Sequence, residues 1–221
     1  MTDALAVLVL TAASHAVLSV AVWRSQPAGL ANRAFAYLAL TPGAWTLSNG
    51  LVSAYASTSW GILWARCAFF SASLLPLWCF RFASVFPTPV PEPSRRLTFV
   101  ITTCALASAA ISLTPLFAKA TSSVDRAPHV TYGPLFPSFG AYLVISLAIS
   151  LVLLSQKLNV LTGVERLQVQ FVLFGIGIAA IGGSITNLVF PLIFRTSRLN
   201  VYGPIFGLVM VAFIAHAIVR Y

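Results

Sequence analysis

The chain has 221 residues, of which 59% are hydrophobic and only 8% charged, and its formal net charge is +9. A soluble domain carries about 25% charged residues, so this composition excludes a water-soluble globular fold and points to lipid as the solvent. The basic residues stand singly or in pairs beside apolar runs, which suits topology signals and anionic head groups rather than nucleic acid.

The apolar runs are continuous rather than alternating, so they predict helices and not a transmembrane β-barrel. Seven spans are expected in a single domain, residues 1–221: Ala4–Trp23, Ala34–Ala54, Trp60–Phe86, Leu97–Phe117, Phe139–Leu154, Gln168–Phe194 and Val201–Val219. The predicted fold class is an all-α integral membrane bundle of seven transmembrane helices. The first run has Asp3 and no basic residue before it, unlike a signal peptide, and is expected to remain as an anchor.

Charge sorts the connections. Arg24 and Arg33, then Arg95 and Arg96, then Lys157 and Arg166, then Arg220 mark one side, which the positive-inside rule places in the cytoplasm. The N-terminus is then outside and the C-terminus inside, although Lys119, Arg126, Arg195 and Arg198 fall on the outer side. Pro87, Pro89, Pro91 and Pro93 make the third connection a stiff cytoplasmic linker, because proline lacks an amide donor and cannot continue a helix. Residues 118–138 form the one long connection, expected to be an extracellular lid with a turn at Tyr132-Gly133-Pro134.

In the sixth span Gly175, Ala179 and Gly183 recur every four residues, with Asn187 continuing their face, and Gly203 and Gly207 repeat the spacing in the seventh. Small residues at this spacing allow close helix packing. The functional alternative is a seam along which the last helix shifts. Cys67, Cys79 and Cys104 lie inside apolar runs without a CxxC and are expected to be buried free thiols. His15 and His216 are expected to be buried, neutral and hydrogen-bonded.

Catalytic motifs are absent: there is no phosphate loop, no His-Glu-x-x-His and no Gly-x-Ser-x-Gly. The carboxylates Asp3, Glu92, Asp125 and Glu165 fall at or beyond the membrane edges, which disfavours an ion pump, and Lys119 and Lys157 lie beside loops, unlike a retinal-bearing lysine. No enzyme activity, cofactor or metal is predicted. Polar and aromatic groups instead gather toward the outer end: Asn49, Trp60, Trp64, Arg66, Asn187, Arg195, Arg198 and Tyr202. Aromatic-belt, lipid-phosphate and interhelical roles account for each singly. Together Asn49, Trp64, Arg66, Asn187, Arg195, Arg198 and Tyr202 define a candidate pocket for a small amphipathic or anionic ligand, guanidinium groups taking a negative end and aromatics an apolar end.

Several segments carry a family resemblance across the whole chain. They are Asn32-Arg33-Ala34-Phe35-Ala36-Tyr37 through Trp45, Trp64-Ala65-Arg66 through Ser73-Leu74-Leu75-Pro76 to Phe86-Pro87, and Tyr132-Gly133-Pro134-Leu135-Phe136. The last is the closing hairpin, from Glu165-Arg166-Leu167-Gln168 through Gly182-Gly183 and Tyr202-Gly203-Pro204 to Ala215-His216-Ala217-Ile218-Val219-Arg220-Tyr221. Their order resembles the N-terminal seven-helix sensor region of bacterial histidine kinases, which also precedes diguanylate cyclase or PAS modules. The resemblance implies a multi-pass receptor of the bacterial inner membrane that relays a signal to a cytoplasmic kinase or cyclase output, often as a homodimer. The hairpin 165–221 is the expected transmission element. A small carrier or channel is the alternative, but it predicts a polar lining across the whole membrane, whereas the polar groups here concentrate in the outer third.

Overall fold

The computed structural model describes residues 2–89, 92–124, 127–194, 199 and 202–220. Four long helices come first: α1 (Thr2–Ser25), α2 (Leu30–Tyr55), α3 (Ser59–Val85) and α4 (Arg95–Ser112). Ser94 starts α4 by accepting a hydrogen bond from the Leu97 amide at 3.2 Å, which satisfies one of the donors a helix leaves free at its first turn. A two-stranded antiparallel hairpin follows, β1 (Ala118–Val124) and β2 (Ala127–Tyr132). Then come α5 (Phe136–Lys157), α6 (Gly163–Ser184), a π-helical turn at Ile185–Val189, α7 (Phe190–Phe194) and α8 (Gly203–Arg220).

The hairpin corrects the expectation of a loop at 118–138, while the other described elements are the expected helices. Residues 118–132 include Thr121, Val124, Val130, Thr131 and Tyr132, types that suit a half-buried strand. Ala118 and Val130 are buried on one face with Val52 of α2 and Ala65 of α3, so the hairpin caps the bundle. Gly133 makes its base: its amide donates to Phe117 O at 2.8 Å, and a Cβ there would overlap the Leu116 carbonyl.

Among the described residues, five helices are by themselves long and apolar enough to cross a bilayer: Leu5–Ser25, Ser59–Val85, Phe136–Lys157, Gly163–Phe194 and Gly203–Arg220. Among the described residues α2 and α4 fall short on mean hydropathy. α2 carries Asn32, Thr41, Thr46, Ser48 and Asn49, and the 18 residues of α4 include Arg95 and Arg96. α2 packs against α1, α3 and α8, so many of its polar positions meet protein. Asn32 Nδ2 donates to Val22 O at 2.8 Å, and Ser19 Oγ of α1 donates to Ala36 O at 2.9 Å.

The main core holds Phe35, Phe80, Phe82, Leu154, Val169 and Ile214, all but closed to solvent. At its edge Lys157, fully buried, donates from Nζ to Phe86 O at 2.7 Å, to Ser84 O at 3.3 Å and to Thr88 O. The lysine thereby ties the end of α5 to the carbonyls at the end of α3, where a helix leaves acceptors unpaired. A second cluster of Phe117, Phe136, Phe139 and Leu188 lies toward the hairpin, with the Phe69 ring edge-on to the rings of Phe117, Tyr132, Phe136 and Phe139 at 5.4–6.3 Å.

The small residues of α6 divide differently from their four-residue spacing. Gly175 is a close-packing site: a Cβ there would lie 2.8 Å from Phe213 Cβ of α8. The next such site is Gly182, where a Cβ would overlap the Phe206 ring, whereas Gly183 has nothing within 4 Å of that position. α6 therefore meets α8 through Gly175 and Gly182, seven residues apart and two turns along one face.

Two further expectations are corrected. The three cysteines are free, but only Cys79 is buried; Cys67 is partly exposed, and Cys104 points out of the bundle. His216 is exposed, 5.5 Å from the Phe171 ring, whereas His15 is fully buried with neither ring nitrogen hydrogen-bonded among the described residues.

Candidate functional site

Proline removes an amide donor, and Pro191 therefore cannot donate to the carbonyl of residue 187 as an α-helix requires. The chain answers with a wide turn just before it, in which the Phe190 amide donates to Ile185 O, five residues back. Such π turns sit disproportionately at functional sites. This one holds Asn187, whose Nδ2 donates to Thr186 Oγ1 at 2.8 Å and to Gly183 O at 3.1 Å. Its Oδ1 is buried and has no partner among the described residues.

Asn187 borders a partly open cavity of about 110 Å³ where the main core, the aromatic cluster and the hairpin cluster meet. Each water needs about 10–15 Å³ of such space, so there is room for a small molecule. α2 contributes Pro42, Trp45 and Asn49, α3 contributes Ala68 and Phe69, and α5 contributes Phe139 and Leu143. α6 lends Ala179 and Gly183, α8 lends Gly203, Gly207 and Met210, and Tyr132 closes the wall from the hairpin. Apolar walls with a few placed polar groups are the usual make-up of a small-molecule site. Asn49 is one of those groups, and its Nδ2 is buried without a hydrogen-bond partner among the described residues.

The residues singled out from sequence separate into three groups. Asn49, Asn187, Ala179, Gly183, Gly203 and Gly207 line the cavity. Trp64 packs with the hairpin cluster, Arg66 reaches the first strand through Nη2 to Ala118 O at 3.5 Å, and Tyr202 is exposed, so these three stand outside the cavity. Arg195 and Arg198 lie outside the described residues. Sequence reasoning missed Trp45, Phe69 and Phe139. Aromatics within apolar spans are common in any membrane helix, and only the tertiary fold turns these toward one space.

His15 stands behind the cavity wall. A Cβ on Gly43 would lie 3.0 Å from His15 Cβ, and a Cβ on Gly207 would lie 3.4 Å from Pro42 Cβ and 3.6 Å from His15 Nε2. Gly207 thus has the cavity at one side and His15 at another, and a Cβ there would meet both Pro42 and His15 at ordinary contact distance.

The architecture is that of a multi-pass helical membrane protein with a ligand-sized cavity at one end of its bundle. The family described as the N-terminal 7TM region of histidine kinase matches residues 7–221, nearly the whole chain, and the protein belongs to that family. The family is the sensor region of such kinases and is not itself catalytic. No curated protein matches the chain.

Proposed function

We propose that this chain is the signal-input module of a receptor in the bacterial inner membrane, relaying ligand occupancy through α8 to a cytoplasmic kinase or cyclase output. It spans the bilayer seven times, with the N-terminus and hairpin outside and the end of α8 inside. A small extracellular or membrane-borne ligand occupies the cavity, and the receptor works as a homodimer with its output domains. The anionic alternative for that ligand draws on Arg195 and Arg198 at the outer turn.

One observation carries this reading. The cavity is walled both by the π turn at Asn187 and by the first half of α8, through Gly203, Gly207 and Met210. The same helix runs on to Arg220 at the far end of the bundle, where Gln168 Nε2 donates to Ala217 O at 3.0 Å. An occupant that prefers one packing of α8 therefore biases its other end, and the difference in affinity between the two packings limits how far the equilibrium moves.

A chimera with a histidine kinase output joined after Tyr221 tests the relay. Ala179→Leu, which fills the cavity, and Gly203→Ala are expected to change reporter phosphorylation, while Val9→Ala on the exposed face of α1 leaves it unchanged. Unaltered output in both cavity variants sinks the relay. Labelling of single cysteines at Gln26, Ser57, Ser122 and Thr162 reads the topology. Ser57 and Ser122 are expected to react from outside and the other two only after permeabilisation.

A further inference from the structure

Two residues of the cavity lining, Asn49 and Asn187, each carry a buried amide atom without a hydrogen-bond partner among the described residues, and these atoms bear on the kind of molecule that fills it. Thr186 donates its hydroxyl hydrogen to Gly182 O at 2.9 Å, so its oxygen is left to accept from Asn187. Gly183 O is a carbonyl and can only accept. Both contacts of the Asn187 amide must therefore be made by its nitrogen. The atom left over is the oxygen, an acceptor with nothing to receive. On α2 the unmatched atom is of the opposite kind, the Asn49 Nδ2 donor. Trp45, one turn before Asn49, brings its ring to the same place as Asn187: a Cβ on Gly203 would lie 2.8 Å from that ring and would overlap Asn187 Nδ2.

No described residue of the lining is charged. Arg66, a guanidinium candidate from sequence, donates from Nη2 to Ala118 O at 3.5 Å, keeps a buried Nε without a partner among the described residues, and does not line the space. A carboxylate or an ammonium group here would be desolvated without a counter-charge, which is strongly unfavourable. A neutral polar group meets no such penalty and relieves two buried groups that otherwise lack partners. Trp45, Phe69, Phe139, Leu143 and Met210 supply the apolar remainder. The volume suits a small molecule rather than a two-chain phospholipid.

We propose that the cavity binds a small uncharged amphiphile whose polar group accepts a hydrogen bond from Asn49 Nδ2 and donates one to Asn187 Oδ1, as a carboxamide or an alcohol can, with its short alkyl part against the aromatic wall. This rests on the cavity being the sensory site, and it narrows the ligand to a neutral one. Because Asn187 belongs to the π turn that abuts α8, the hydrogen bond it receives acts directly on the packing between the turn and the last helix.

The test uses the full chain in nanodiscs of neutral lipid and four probes: hexanamide, methyl hexanoate, hexanoate and hexylammonium. Saturable binding is read by saturation-transfer NMR, with Ala179→Leu and Ala180→Leu, at two α6 positions that line the cavity, as blocked-cavity controls for partition into lipid. Hexanamide is expected to bind at least about fivefold tighter than either charged probe, the worth of roughly one net hydrogen bond. Asn187→Leu, close to isosteric, is expected to weaken hexanamide by about fivefold while leaving methyl hexanoate, which has no donor, unchanged; Asn49→Leu is expected to weaken both. Tighter binding of hexanoate, or an Asn187→Leu variant that holds hexanamide as well as the parent, overturns the neutral-ligand proposal and leaves the sensory cavity standing. Absence of saturable, cavity-dependent binding by every probe overturns both.

Discussion

Asn187 and Gly203 touch so closely that a single added carbon on Gly203 would overlap the Asn187 amide nitrogen. The contact joins the π turn to the first turn of α8. Neither partner yields easily, because Asn187 is held by Gly183 O and Thr186 Oγ1 and Gly203 is buried. Gly203→Ala must therefore push α8 away or break the Asn187 hydrogen bonds. The expected loss is about 1–3 kcal/mol of stability, the usual range for overpacking, read as a lower midpoint of thermal unfolding in detergent. The same variant is expected to bind hexanamide differently from the parent. A variant that matches the parent in both measurements contradicts the close contact.

Gly182 and Gly183 are neighbours in sequence and opposites in packing. Gly182→Ala would run into the Phe206 ring, and its expected penalty is again about 1–3 kcal/mol. Gly183→Ala meets nothing within 4 Å and replaces a poor helix former with the best one. It is expected to be neutral or to stabilise by up to about 1 kcal/mol. Thermal unfolding of the two variants side by side decides the matter, and equal midpoints would contradict the assignment of the α6–α8 seam.

Lys157 is a buried cation whose partners are all backbone carbonyls. Lys157→Met keeps the length of the chain but leaves Ser84, Phe86 and Thr88 carbonyls without their donor. A buried polar group left unsatisfied costs about 1–3 kcal/mol, so the variant is expected to unfold at a lower temperature. Faster proteolysis within residues 86–94 is expected as well, since the lysine binds the Phe86 and Thr88 carbonyls where that linker leaves the bundle. Limited digestion with mass spectrometry of the fragments reads this directly.

Gly133→Ala probes the hairpin. Its Cβ would collide with the Leu116 carbonyl, which is backbone and cannot swing aside. The expected result is loss of the Gly133 amide to Phe117 O hydrogen bond and faster hydrogen exchange through 118–132. Exchange in α6 and α8, away from the hairpin base, is expected to stay near the parent's level.

Much of this protein could be read without coordinates. Lipid as solvent, the helical class and the family follow from apolar runs of membrane length and the order of sparse markers along them. Asn49 and Asn187 were also legible, because an amide at membrane depth is costly and needs a reason to be there. Pro191 carried a further signal, since a missing donor inside an apolar helix must be accommodated somewhere. The tertiary structure decided what these signals were for. A four-residue spacing of small residues does not say which of them meets a neighbour. The crossing of α6 and α8 selects Gly175 and Gly182 for contact and leaves Ala179 and Gly183 to line the cavity. The residues 118–132 looked like a loop because their apolar positions are few, and they become a hairpin only because α2 and α3 offer a surface for Ala118 and Val130. Burial likewise distinguishes His15 from His216, two histidines in similarly apolar helices. The sequence by itself determined which solvent the chain occupies and which polar groups are expensive there. Only packing between helices distant in the chain determined which of those groups share one cavity, because proximity across a bundle depends on how whole helices cross.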